Sequence, residues 1–146
     1  MKKVMRQRYY CDFCKKGSGS GGHMKKHEAR CTLNPARECG MCKLMGEKQP
    51  DLTVLTAILP APETISFTEY SEVDGDTIKA LRDAAGNCPA CMLAAIRQRG
   101  IPVSQAIGFN FAEECKSFWS DFNESQTAES MACIEDDEEA AQELAA

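Results

Sequence analysis

Residues 9–42 read YYCDFCKKGSGSGGHMKKHEARCTLNPARECGMC, and residues 88–91 read CPAC. These two stretches hold seven of the nine cysteines and both histidines of a 146-residue chain. Within the first, the spacing is Cys11-x2-Cys14-x12-His27-x3-Cys31. A Cys-x2-Cys turn brings two thiolates onto one ion, and ligands four apart on a helix project from the same face. Three cysteines and one histidine so spaced fit a closed, structural, tetrahedral zinc site. His23 is also four residues from His27 and competes as a ligand, but using it shortens the loop and leaves Cys31 over. The set Cys11, Cys14, His27, Cys31 is therefore preferred.

Cys39-Gly-Met-Cys42 and Cys88-Pro-Ala-Cys91 form a second paired set with 45 residues between the pairs. Gly40 permits a tight knuckle whose amides can donate to sulfur. The second pair opens a helix, where the dipole favours thiolate. Knuckle plus helix start is the arrangement of treble-clef zinc sites, so Cys39, Cys42, Cys88 and Cys91 are expected to hold a second zinc ion. Cys115 and Cys133 are left without a metal role.

Composition favours metal over the other uses of cysteine. The basic start MKKVMRQR is followed by no apolar run of the kind a signal peptide needs, and no window approaches the ~18–20 apolar residues of a membrane span. A reducing cytoplasm is expected, where lasting disulfides are uncommon, and an odd cysteine count cannot close within the chain. The net charge of −5 divides unevenly: residues 1–49 carry +8 and residues 50–146 carry −13. A basic head and an acidic body point to two functional surfaces. On the head, Lys15, Lys16, Lys25, Lys26 and Arg30 are candidate phosphate contacts, whose binding would be strongly salt-dependent. The glycines and serines at the helix start offer nothing to read base edges.

GSGSGG at residues 17–22 has the look of a linker, but lying between ligands it reads as a finger turn. Asp51 can cap a helix through Leu52, Leu55 and Leu59, although a strand fits this short run too, and Pro60 and Pro62 end it. Residues 63–75 read as an edge strand or extended loop. Asp76 is expected to cap a helix ending at Gly86-Asn87, and Pro89 to open another ending at Gly100. Residues 112–123 make a third helix, with Phe111, Cys115, Phe118, Trp119 and Phe122 on one stripe expected to form the aromatic centre of the core. From Glu129 the chain has seven acidic and no basic residues and is expected to be a frayed helix or disordered tail.

Other chemistries fail on particular residues. Glutaredoxin-like enzymes need a strand before Cys-Pro-x-Cys and a cis-proline well after it; here a helix precedes, and Pro102 is too close. A nucleobase deaminase needs His-x-Glu with Pro-Cys-x-x-Cys, but His27 and Glu28 are adjacent and Pro89 follows its cysteine. HNH-type nucleases need histidines outside the zinc site. No catalytic constellation remains, and a non-enzymatic protein is expected.

The finger resembles the two-Cys/two-His class in a Cys-Cys-His-Cys variant, with Tyr10 and Phe13 able to pack beside the metal and Met24 where such fingers place a leucine. It departs where Ser18 or a glycine replaces the usual aromatic, so a ββα hairpin does not follow. The string from Tyr9 to Cys42, with GNCPACMLAAIRQRGIP and FAEECKSFWSDFN, resembles small zinc-finger proteins encoded by tailed bacteriophages and prophages, over most of residues 9–123. That resemblance implies a phage-derived zinc-binding protein of the host bacterial cytoplasm and brings no established activity with it.

The expected architecture is small, mostly α and zinc-stabilised. A Cys₃His finger (1–35) joins through the Cys₄ treble-clef-like site to a three-helix body with little β (36–125), followed by the acidic tail (126–146). Two zinc ions per chain are expected. The partner is nucleic acid through the basic finger or, alternatively, a host or phage protein through the acidic helical face; a thiol-redox role for Cys88 and Cys91 is the weaker third reading. No membrane partner is expected.

Overall fold

A computed structural model describes residues 1–62 and 72–145, with side chains through residue 129. Strand β1 (Tyr9–Tyr10) pairs antiparallel with β2 (Gly17–Ser18), Tyr9 facing Ser18 and Tyr10 facing Gly17. Helix α1 (Gly21–Arg30) follows at once, its N-terminus capped by the Ser20 hydroxyl, which accepts from the His23 amide at 3.3 Å. A short ββα unit thus exists where the sequence did not call for one. Its hairpin is held by the backbone: the Cys11 amide donates to the Lys16 carbonyl at 2.9 Å and Lys15 to Cys11 at 3.0 Å.

Helix α2 (Gly40–Leu44) is one turn and a little more. Helix α3 (Leu52–Ile58) settles the ambiguous run in favour of a helix, because Leu52, Leu55 and Leu59 bury together on one side. The Asp51 carboxylate caps it through the Thr53 amide at 2.8 Å. The cap of helix α4 (Gly75–Ala84) lies two residues before the expected one. Asp74, not Asp76, accepts from the Thr77 amide at 2.7 Å and from its hydroxyl at 3.0 Å. These two bonds hold the Asp74 carboxyl below its usual range. Helix α5 (Pro89–Gln98) has Pro89 in its first turn, where a missing amide hydrogen costs nothing.

Helices α3, α4 and α5 pack on one another, and their largest fully buried side chains are Leu55, Ile78, Leu81, Met92 and Ile96. Ala94 and Ala95 are fully buried as well, their small side chains suiting close helix contact. A 3₁₀ turn (Val103–Gln105) follows, and Val73 bridges to Ala106 in parallel, its amide donating to the Gln105 carbonyl at 2.7 Å. Val73 comes from the segment expected to be extended; residues 63–71 of that segment lie outside the described residues.

The expected third helix at 112–123 differs in extent and in role. Helix α6 (Phe111–Ala145) runs for 35 residues, through the segment expected to fray. Nothing between 123 and 145 stops a helix, since that stretch has neither glycine nor proline. The chain divides into two compact units, Met1–Phe109 and Asn110–Ala146. The aromatic stripe belongs to the second unit, and the core of Met1–Phe109 is built from other residues. Phe118 and Trp119 meet edge-to-face at 5.3 Å, as do Trp119 and Phe122 at 5.8 Å, but Phe111 and Trp119 stay exposed. The three-helix core is instead aliphatic, and α3 takes the place given to residues 112–123. Among the described residues, no helix is long and apolar enough to cross a membrane.

Candidate metal centres

The first group lies at the junction of hairpin and helix. Cys11 and Cys14 come from the turn after β1, His27 from the last turns of α1, and Cys31 from its C-cap. Their ligand atoms all lie within 4.8 Å of one another, and Cys14 Sγ is 3.1 Å from His27 Nε2. His23 is exposed and outside this group. Lys15 adopts φ +62°, a left-handed conformation costing roughly 1 kcal/mol away from glycine. Its ammonium donates back to the Asp12 carbonyl at 2.9 Å. Glu28 ties helix to turn by accepting from the Asp12 amide at 3.0 Å. Behind the ligands, Met24 is the one buried residue besides cysteine in this cluster, with Leu33 partly buried against it.

The second group is built by one device used twice. Cys39 is the N-cap of α2 with φ −85°, ψ 112°, and Cys88 the N-cap of α5 with φ −80°, ψ 110°. In each, the cysteine carbonyl accepts from the amide four residues on, at 3.1 Å. Cys42 and Cys91 follow in the first turns. The expected knuckle at Gly40 is therefore itself a helix start. Gly40 has no positive φ, and a Cβ there would lie an ordinary 3.7 Å from the Arg30 guanidinium. Close sulfur contacts run between the pairs, Cys39 to Cys88 at 3.5 Å and Cys42 to Cys91 at 3.6 Å.

These dimensions fit a metal. Four sulfurs about 2.3 Å from a central ion stand about 3.8 Å apart in a tetrahedron, while a disulfide needs about 2.05 Å. All four thiols are buried, and all four sulfurs lie within 4.8 Å of one another. Their electrostatics point the same way. Hydrogen bonds from Cys88 and Cys91 lower the Cys39 thiol, while burial and the charges of Cys88 and Cys39 push Cys42 up to about 12. Cys91 is raised, first by its hydrogen bonding with Cys39 and Cys88. One thiolate forms readily and its charge opposes the next; a cation at the centre relieves that opposition. In the first group, burial raises Cys31, whereas amides of Cys14 and Phe13 outweigh burial and lower Cys11. Each group can hold one metal ion.

Two residues at the second group went unnoticed in the sequence. Arg37 is the one buried charged side chain among the described residues; its Nη1 reaches Cys91 Sγ at 4.0 Å and its Nε meets no partner. Gln49 accepts from the Cys39 amide and donates to the Arg37 carbonyl at 2.9 Å, fixing the approach to the first pair. No spacing rule marks either. Gln98 donates to the carbonyls of Thr32 and Asn34, and Arg97 to the Thr32 hydroxyl at 3.1 Å. The segment between the two groups is thereby tied to α5.

Lys15, Lys16, Lys25, Lys26 and Arg30 are all exposed. Arg30 lies toward Gly40 at the end of α1, and Lys25 and Lys26 occupy its middle. Tyr10 and Phe13, expected beside the metal, are exposed. No protein-family model, curated protein or solved structure matches the chain.

Proposed function

We propose that the chain is a non-enzymatic zinc protein of phage origin whose basic finger contacts nucleic acid in the host bacterial cytoplasm. The observation that carries the metal part is the convergence of eight thiol and imidazole ligands into two groups, each within 4.8 Å. Thiolate-rich tetrahedral sites suit zinc, and sites with four protein ligands leave no position for a substrate. Zinc is thus structural in both: one ion closes the finger, and the other ties α2 to α5, keeping the helix-start half of a treble-clef arrangement. The nucleic-acid part is supported by five exposed cations on the finger and the +8 balance of residues 1–49.

Neutralising Lys25, Lys26 and Arg30 together to glutamine tests it. Each phosphate contact contributes roughly 0.7–0.9 to the slope of log affinity against log salt. The triple variant is expected to flatten that slope by about 2–3 with metal content unchanged. A chain that binds neither DNA nor RNA at low salt contradicts the reading. The second reading, a module docking on a host or phage protein, is favoured by one feature: α6 leaves Phe111 and Trp119 exposed among acidic residues. Capture of the same partner with and without nuclease treatment separates the two.

A further inference from the structure

We propose that the surface offered to nucleic acid is built for a single strand, whose unpaired bases stack on Tyr10 and Phe13. This deepens the nucleic-acid reading above and rests on it. Tyr9 is 40 % exposed, Tyr10 59 % and Phe13 41 %. The finger leaves these rings open although Met24 is the one buried side chain behind its ligands apart from cysteine. Apolar rings that a small core could have used stand outside it.

Their surroundings favour a nucleic-acid strand over an apolar partner. Alternation along β1 sends Tyr10 to one face and Tyr9 to the other. A Cβ placed on Gly17 would lie 3.0 Å from Tyr10 Cε1 and 3.4 Å from Arg8 Nε, so ring and guanidinium sit side by side above that glycine. Tyr9 rests in the same way against Gly21, whose Cβ would meet its ring at 3.2 Å. The glycines give the rings a floor of backbone and crowd neither. Lys15 and Lys16 follow directly after the turn that carries Phe13 and are exposed, as are Arg6 and Arg8 before the strand. Aromatic faces interleaved with cations stack bases while tracking the phosphates, without regard to sequence.

A duplex fits less well. Groove reading needs side chains at the start of the inserted helix, and α1 opens with Gly21 and Gly22. Stacked bases in a duplex also hide the faces that Tyr10 and Phe13 would engage.

The test uses the full metal-loaded chain, a labelled mixed-sequence DNA strand of roughly twelve nucleotides, and the matching duplex. The single strand is expected to bind at least about tenfold tighter. Tyr10→Leu and Phe13→Leu keep apolar volume but remove the π-face, and each is expected to lose about tenfold for the strand, with salt slope and metal content unchanged. Tyr10→Phe should restore binding. Duplex binding equal to or tighter than strand binding, or leucine variants that bind the strand as well as the parent, would overturn the proposal while leaving the basic-finger reading intact. Binding of neither nucleic acid overturns both.

Discussion

Arg37 is where the second group departs most from a bare set of four ligands. A buried guanidinium with one nitrogen unpartnered is costly unless negative charge lies near it. Four thiolates around a divalent ion carry a net charge of −2, and Arg37 Nη1 stands 4.0 Å from one of their sulfurs. Its charge therefore favours the metal-loaded state over the state in which Cys42 and Cys91 hold their protons. Replacing Arg37 with methionine should weaken metal affinity at the second group by about 10–100-fold, the usual cost of losing an outer-shell partner. The first group should be unaffected. Chelator competition measures both, and an unchanged second affinity would contradict this role. Nothing in NPARECGMC distinguishes Arg37 from the exposed cations around it, because burial of a charge depends on what folds over it.

Helix α1 shows how a stretch resembling a linker becomes structure. Of GSGSGG, Gly17 and Ser18 form β2, Ser20 caps α1, and Gly21 and Gly22 are its first residues. Ser20→Ala removes the side-chain cap and should cost about 1 kcal/mol. Because finger folding and metal binding are coupled, the loss should appear as a roughly fivefold weaker apparent affinity at the first group. Unchanged affinity would mean the cap does not support the site. Ligand positions were legible because spacing and turn geometry are local: His27 and Cys31 share a helix face whatever surrounds them. The hairpin was not, since its turn is closed by backbone hydrogen bonds among Cys11, Lys15 and Lys16 rather than by the aromatic usual after the second cysteine. Likewise, the stripe on α6 marks a helical face, but periodicity says nothing of what covers a face. The run 52–59 was too short for its pattern alone to choose between helix and strand.

The unit Met1–Phe109 holds two cores of very different strength. The body buries leucines, isoleucines and Met92 between three helices, whereas the finger has Met24 and its own cysteines. The finger buries little besides its own cysteines, and a structural zinc ion there, at roughly 10–16 kcal/mol apparent per site, would be of the size needed to stabilise it. An ion held by the second group would join α2 to α5 across the 45 residues that separate their cysteine pairs. The excess of cysteine thus stands in for apolar volume, and the overall charge of −5 hides a basic finger joined to an acidic remainder. Native mass spectrometry of protein purified without chelator decides whether metal holds this architecture together. Two zinc ions per chain are expected, one for each group, with loss of the finger's helical signal when both are stripped. One ion or none, or a finger that stays folded without metal, would contradict it.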